Sequence, residues 1–159
     1  MSIEYTQLKN HPDLEYFTDQ DILVPEEYRE KIRPLSKNSA EIFWKNNISS
    51  HNKHTMLLNE KDWFNELNLK EIAHWQEDWN SNNYSRITNV LRNHVSWEED
   101  TIVYFCWNNF NIMETTWGVF TKYWINFLFD DEAPILISKE KNELFTFGPS
   151  DNIYFGCKG

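Results

Sequence analysis

The pattern of apolar and polar positions changes near residue 100 of the chain. Residues 1–97 are mostly polar with short apolar clusters, whereas residues 101–157 are rich in β-branched and aromatic side chains. Apolar positions three and four residues apart indicate helices, and short alternating or continuous apolar runs indicate strands. The pattern therefore predicts a mostly helical first part, 1–97, and a strand-rich core, 101–157.

Four helices are predicted before residue 100. Pro25 suits the first turn of a helix, where no amide hydrogen is needed, and Pro34 must lie beyond the end of that helix. Asn38 or Ser39 is expected to cap the next helix. The other predicted helices follow apolar positions at helical spacing and cover 37–49, 60–80 and 84–97.

Five strands are predicted after residue 100. The run "TIVYFCWN" at 101–108 is nearly all apolar, which is typical of a strand covered on both faces. The segment 111–117 follows a turn and is expected to pair with it as a hairpin. Three short strands are predicted at 134–139, 142–148 and 152–157. We therefore expect an α+β fold, with a mainly antiparallel sheet of about five strands and the N-terminal helices packed on one face.

The most aromatic segment, 113–129, has helical spacing from Gly118 onward. Its large side chains fall on one side of that helix: Val119, Phe120, Tyr123, Trp124, Phe127 and Leu128. Thr121, Lys122 and Asn126 fall on the other side, which is expected to face water. Because a stripe of this kind usually packs into a core, the segment is predicted to be buried rather than to form a binding surface.

Composition favours one domain over residues 1–159. The chain is 40% hydrophobic and 25% charged, and no Ser-, Gly- or Pro-rich linker divides it. The first residues lack the basic end and apolar stretch of a signal peptide, and two cysteines do not make a disulfide framework. No apolar run approaches the length of a membrane span. A cytoplasmic protein with reduced thiols is expected.

The net charge of −10 narrows the classes of partner. Nucleic-acid binding requires a basic surface that neutralises phosphates, and an anionic membrane has the same requirement. We therefore expect no nucleic acid and no membrane as partner. An acidic protein favours a basic protein partner, because opposite charge speeds encounter and selects partners. Solubility alone is the alternative explanation of the charge.

Two acidic clusters, two tryptophans and Glu114 are the candidate partner-binding residues. The clusters flank the first strand and the aromatic segment and consist of Glu98, Glu99, Asp100, Asp130, Asp131 and Glu132. Trp97 and Trp107 are candidate anchors, because large aromatic side chains supply most of the binding energy of an interface.

Glu114 is the most informative single acid, since it lies inside a predicted strand. Its side chain is either solvated on an exposed strand face or partly buried and held by a cation. The candidate cations are Lys122, Arg86 and Arg92. A buried carboxylate with a perturbed pKa marks a functional site in many proteins.

No motif in the sequence identifies a reaction. Gly-rich phosphate loops, nucleophile elbows and dinucleotide fingerprints are absent, so no cofactor is expected. His51 and His54 lack companion ligands at useful spacing, and no metal site is expected. His74 and Asp78 could form an ion pair within a helix. An enzyme would have to combine Glu114 with His74 or His94 in a pocket under the aromatic helix.

The segments "TIVYFCWN", "ETTWGVFTKYWINFLF" and "PILIS", together with "VPEEYREKIRPLS", resemble a family of small acidic gammaproteobacterial proteins described as a domain of unknown function. The resemblance covers most of the chain. It implies a single-domain bacterial protein and assigns no catalytic residue.

Small size, acidity, aromatic richness and this resemblance together favour a protein-binding module. The specific expectation is an immunity or antitoxin-like inhibitor of a basic bacterial toxin enzyme. The alternatives are a small cytoplasmic enzyme of unrecognised type and a structural or regulatory subunit. The sequence leaves the oligomeric state open.

Overall fold

The computed structural model describes residues 2–50, 69–129, 133–148 and 151–157. Within these ranges one antiparallel sheet is formed by β1 Arg33–Pro34, β2 Lys70–His74, β3 Ile102–Asn108, β4 Asn111–Thr116, β5 Ile135–Ile137, β6 Glu143–Phe147 and β7 Asn152–Cys157. The strands lie in the order β1-β4-β3-β5-β6-β7-β2.

The α-helices of the described residues lie before the first strand or between strands along the chain. They are α1 Glu15–Thr18, α2 Glu26–Arg29, α3 Lys37–Asn47, α4 Gln76–Ser81, α5 Ser85–His94, α6 Trp117–Lys122 and α7 Trp124–Phe127. Two single 3₁₀ turns cover Leu8–Asn10 and Gln20–Ile22. The α+β fold expected from the sequence is confirmed.

The sheet has seven strands among the described residues, not five. The five predicted strands are present, including the β3–β4 hairpin, and the additional two lie at the edges of the sheet. β1 escaped prediction because it is two residues long and contains Pro34, which cannot donate a ladder hydrogen bond and is confined to an edge. The N-terminal segment covers this edge through a bridge between Tyr5 and Leu35.

The prediction of a helix over 60–80 is wrong for residues 70–74, which form strand β2. Residues 60–68 lie outside the described residues, and the backbone of 70–74 pairs with β7 as a strand with a bulge between Glu71 and Ala73. Ile72 and Trp75 have helical spacing in the sequence, but hydrogen bonds to β7 decide the conformation of this stretch. A helix, α4, begins only at Gln76.

Three predicted helices before residue 100 are confirmed with changed ends. α2 starts after Pro25, and α5 buries Ile87 and Leu91 of its predicted stripe. α3 is capped by Ser36, whose Oγ accepts a hydrogen bond from the Ser39 amide at 3.2 Å, so the expected cap at Asn38 or Ser39 is wrong by two or three positions.

Helices pack on both faces of the sheet, which corrects the expectation of one covered face. The first core lies between the sheet and α1, α5, α6 and α7, and it contains Phe105, Trp107 and Met113. The second core lies between the opposite face and α3. Its members are Leu35, Ala40, Phe43, Trp44, Ile48, Tyr104, Cys106, Ile112, Ile135, Ile137 and Leu144.

The apolar stripe of the aromatic segment is buried as predicted except for the partly exposed Tyr123, whereas Phe129 at the end of the segment is 43% exposed. Tyr123 separates α6 from α7, so the helix is not continuous. Thr121 and Asn126 are fully buried although they were expected to face water. The Asn126 side-chain amide donates to the carbonyls of Tyr16 at 2.8 Å and Ile22 at 2.6 Å, so it fastens the N-terminal segment to α7.

Replacing Trp124 by alanine is expected to destabilise the protein by about 3–5 kcal/mol, because a fully buried aromatic side chain is lost. Its ring packs against Trp75 and Tyr84, and its Nε1 donates to the Tyr84 carbonyl at 3.1 Å. Denaturant unfolding followed by circular dichroism measures the change. Phe110→Ala is the control, because Phe110 is 55% exposed and should lose less than about 1 kcal/mol. Equal losses in both variants would contradict the buried stripe.

Candidate functional site

The acidic loop, Glu98, Glu99 and Asp100, lies on the surface immediately before β3. Glu99 is tied to the fold, because Arg92 forms an ion pair with its carboxylate and the Gly118 amide donates to its carbonyl at 2.9 Å. The hydrogen bond from Arg92 lowers the pKa of Glu99. Position 118 suits glycine here, since a Cβ would meet the Glu99 carboxylate. Asp130, Asp131 and Glu132 lie outside the described residues.

Trp97 and Trp107, the two candidate anchors, are core residues and present little of their rings at the surface of the described chain. Trp97 is 7% exposed and its ring centroid lies 4.8 Å from that of Trp117. Trp107 is 1% exposed and packs edge-on against Phe105 at 4.7 Å. Both rings enter the first core because strand alternation and the turn before β3 direct them there.

An aromatic patch reaches the surface above Trp107. It consists of Tyr16, Trp79 and Phe129. Tyr16 stacks on Phe129 with ring centroids 5.1 Å apart, and Trp79 meets Phe129 edge-on at 6.3 Å. Phe129 is 43% exposed, while Tyr16 also contacts the Trp107 ring at 6.5 Å. The sequence alone did not reveal this patch, because its three members come from separate parts of the chain.

Three exposed acids lie close in sequence to Tyr16 of the aromatic patch. Glu15, Asp19 and Asp21 are exposed on the same N-terminal turns that carry Tyr16. The acidic loop precedes the first residue of β3, whereas Tyr16 contacts Trp107 near the last. Because a strand rises about 3.3 Å per residue, the acidic loop and the patch are about 17 Å or more apart along β3. They are therefore two separate surfaces.

Glu114 is buried, so the expectation of a solvated strand face is excluded. It is 6% exposed and lies in register with Arg33 of β1 and Tyr104 of β3, on the face of the second core. The Tyr5 hydroxyl donates to one carboxylate oxygen, and Arg33 Nη1 lies 3.4 Å from the other. The Arg33 guanidinium also lies over the Tyr5 ring, 3.7 Å from its centroid.

The carboxylate of Glu114 perturbs both phenols beside it. Burial, followed by the hydrogen bond and negative charge of Glu114, raises the pKa of Tyr5 to about 12. Burial and Glu114 also raise the pKa of Tyr104. A phenol is protonated at neutral pH, so Tyr5 and Tyr104 can both donate a hydrogen bond to Glu114. Tyr5, Arg33, Tyr104 and Glu114 together link the N-terminal segment, β1, β3 and β4, and we call this group the Glu114 lock.

The cations predicted to hold Glu114 have other partners. Arg86 forms a bidentate ion pair with the buried Asp78, Arg92 binds Glu99, and Lys122 donates to the Tyr28 hydroxyl at 3.2 Å. Arg33 was missed because its approach to Glu114 depends on the β1–β4 pairing.

The fold does not bring Glu114 together with the histidines of the enzyme hypothesis. His74 lies on β2, five strand positions from β4, which corresponds to about 24 Å at the usual strand spacing. His94 ends α5 and contacts Phe155 on the face of the first core, opposite to Glu114. Neither His74 nor His94 therefore lies beside Glu114 in the described part of the chain.

His74 joins two neighbouring strands at the other edge of the sheet. Its Nε2 lies 2.5 Å from the Glu71 carboxylate and its Nδ1 lies 3.1 Å from that of Asp151. The hydrogen bond with Asp151, together with the negative charges of Asp151 and Glu71, raises the pKa of His74. The predicted ion pair between His74 and Asp78 is wrong. His74 belongs to strand β2, whereas Asp78 belongs to helix α4 and forms an ion pair with Arg86.

The described part of the chain offers few other candidate sites. Its histidines, cysteines and acids form no group of three that could hold a metal ion. His51 and His54 lie outside that part. None of its helices combines the length and the apolar character needed to cross a membrane. Cys106 is buried in the second core, as expected of a small core residue.

Tyr5→Phe should destabilise the protein by about 1–2 kcal/mol, because it removes a hydroxyl donor from a buried carboxylate and leaves the ring in place. Denaturant unfolding at neutral pH provides the measurement. Tyr28→Phe removes a hydroxyl that accepts from the exposed Lys122 and should change stability by less than about 0.5 kcal/mol. A Tyr5→Phe variant as stable as Tyr28→Phe would contradict the lock.

The β2–β7 edge is expected to weaken as pH rises. Since the folded-state pKa of His74 is raised above its ordinary value of about 6.5, the contact stabilises fully below that pH and is lost as pH passes the raised value. NMR titration of the His74 ring should give a lower pKa in Asp151→Asn than in wild type. Asp100→Asn, which removes an exposed charge elsewhere, should leave the His74 titration unchanged. An identical pKa in all three proteins would contradict the role of Asp151.

Comparison with known proteins bears on the family of the chain. A family model described as a protein of unknown function, DUF2947, matches residues 5–156. No curated protein and no solved structure matches the chain. The matched range includes the whole sheet except its last residue, the Glu114 lock and the aromatic patch. Because the family model spans nearly the whole sequence, the chain belongs to the DUF2947 family.

Proposed function

We propose that this protein binds a basic protein partner through the aromatic patch and the exposed acids close in sequence to Tyr16. The observation that carries the proposal is the exposed Phe129 ring, 43% accessible and held in place by Tyr16 and Trp79. Aromatic side chains that are rigid before binding supply contact area at small entropic cost, which is typical of interface anchors.

The charge around the patch supports a partner of opposite sign. Glu15, Asp19 and Asp21 are exposed and close in sequence to Tyr16, and the whole chain carries a net charge of −10. Complementary charges at the rim of an interface raise the association rate, while the buried anchors in its centre govern dissociation. The acidic loop, Glu98 to Asp100, is the alternative contact surface for the same partner.

In its more specific form, the proposal is an immunity or antitoxin-like inhibitor of a basic bacterial toxin enzyme. Such an inhibitor needs a stable scaffold, an acidic face that can occupy a basic cleft, and a few aromatic anchors. The buried sheet, the exposed acids and the aromatic patch supply these features, and the combination favours inhibition over a purely structural subunit.

The test begins with affinity capture from cells that naturally contain the protein, followed by identification of captured proteins by mass spectrometry. A captured basic protein is then purified, and its association with the wild-type chain is measured at low and high salt. We expect Phe129→Ala to raise the dissociation rate about tenfold or more, because loss of an anchor costs at least about 1–2 kcal/mol. Phe110→Ala is the matched control, since it removes another exposed phenylalanine that lies outside the patch.

Two charge-reversed variants locate the attraction. Glu15→Lys with Asp19→Lys changes the acids near Tyr16, and Glu98→Lys with Asp100→Lys changes the acidic loop by the same total charge. The first variant is expected to slow association and weaken its salt dependence more than the second. The reverse order would place the interface at the acidic loop.

The inhibitor proposal fails if no basic protein is captured. It also fails if the captured protein is an enzyme whose activity the wild-type chain does not reduce.

A further inference from the structure

One segment of this acidic chain is basic. Residues 29–37, "REKIRPLSK", contain Arg29, Lys31, Arg33 and Lys37 against the single acid Glu30. The segment runs from the end of α2 through β1 to the start of α3. Such a local excess of positive charge in a protein of net charge −10 indicates a role that solubility does not explain.

Part of this segment faces an open cleft of about 560 Å³, which we call the basic cleft. Lys9, Arg29 and Arg33 are the cations that line it, and Glu26 and Glu30 are the acids. Its apolar walls include Leu8, Leu14 and Ile32. The five charged side chains leave the lining with a net charge of +1, opposite in sign to the whole protein.

Arg29 has a donor that the described residues do not satisfy. Its Nε is buried, and no acceptor among those residues forms a hydrogen bond with it. Buried polar groups in folded proteins almost always have a hydrogen-bond partner. This Nε has no solvent-accessible surface, so a ligand in the cleft would meet the terminal guanidinium nitrogens of Arg29, and its bound charge would shift the resonance of the buried Nε–Hε group.

Arg33 and Lys9 can contribute to the same ligand. Arg33 Nη1 reaches Glu114 at the long distance of 3.4 Å, and 51% of the Arg33 side chain is exposed, so donors of its planar guanidinium remain accessible to solvent. Lys9 is exposed at the end of the first 3₁₀ turn. Arginine guanidinium groups match the geometry of a carboxylate, which accepts two parallel hydrogen bonds.

We propose that the basic cleft binds a small organic carboxylate. The carboxylate accepts hydrogen bonds from Arg29 and Arg33 with Lys9 beside it, and the apolar body contacts Leu14 and Ile32. Hexanoate is preferred over phosphate because its alkyl chain can contact the apolar wall of the cleft, Leu14 and Ile32, which phosphate cannot use. The basic cleft and the aromatic patch share no residue, so a negative result for one proposal does not contradict the other.

The test is a titration of the full-length, ¹⁵N-labelled protein with hexanoate, inorganic phosphate or hexylamine, followed by NMR. Hexanoate should give a saturable shift of the Arg29 Nε–Hε resonance. The corresponding resonance of Arg86 is an internal control, because its Nε already donates to Asp78 at 2.9 Å and should not move. Hexylamine has a similar alkyl chain, longer by one carbon, with the opposite charge and should give no saturable shift.

Arg29→Gln and Lys9→Gln should each weaken hexanoate binding, by about tenfold for Arg29→Gln, the usual effect of losing a charge-assisted hydrogen bond. Lys45→Gln removes an equal charge from the exposed side of α3 and should leave the affinity unchanged. Lys9 is exposed, so its variant tests the cleft even if Arg29→Gln does not fold.

Three results would overturn the proposal. They are the absence of a saturable Arg29 shift with hexanoate, a preference for phosphate over hexanoate, and binding that Lys9→Gln and Lys45→Gln weaken equally.

Discussion

Residues 103–107 of strand β3 are buried on both faces of the sheet, and this burial determines the layers of the molecule. Val103, Phe105 and Trp107 point into the first core, while Tyr104 and Cys106 point into the second. A strand that is apolar on both faces must be covered on both sides, because exposed apolar surface is costly in water. The N-terminal half supplies α3 for one face, and α1 and α5 help to cover the other. The arrangement of the chain around the sheet follows from this requirement.

Several polar side-chain atoms of the first core bind backbone groups, whereas Trp75 Nε1 has no hydrogen-bond partner among the described residues. Trp124 Nε1 donates to the Tyr84 carbonyl at 3.1 Å, and Trp79 Nε1 donates to the Ile125 carbonyl at 3.0 Å. The buried Asn126 amide binds two carbonyls of the N-terminal segment. These bonds join helices that are distant in sequence. They also hold Tyr16 and Phe129 at the point where the stacked rings reach the surface, so the core itself positions the aromatic patch.

Charge is sorted over the surface rather than evenly mixed. Exposed acids flank Tyr16 in the sequence and form the acidic loop, whereas Arg29 and Arg33, together with Lys9, line the basic cleft. Arg33 connects the buried Glu114 to the basic cleft, because it forms an ion pair with Glu114 and also lines the cleft. The two proposals therefore assign opposite chemistry to different places. A basic macromolecule fits the aromatic rings and the acids near Tyr16, and a small anion fits the arginines.

The sequence by itself determined the α+β class, the five central strands, the β3–β4 hairpin and the buried aromatic stripe, because each depends on local periodicity. It also identified Glu114 as an acid inside a strand. Only the tertiary structure decided the edge strands, since β1 and β2 have weak local patterns and exist through pairing with β4 and β7. Long-range contacts likewise buried Trp97 and Trp107, assigned Arg33 and Tyr5 to Glu114, and assembled Tyr16, Trp79 and Phe129. Periodicity reports which face of an element is apolar, but the partner of that face depends on residues far away in the chain.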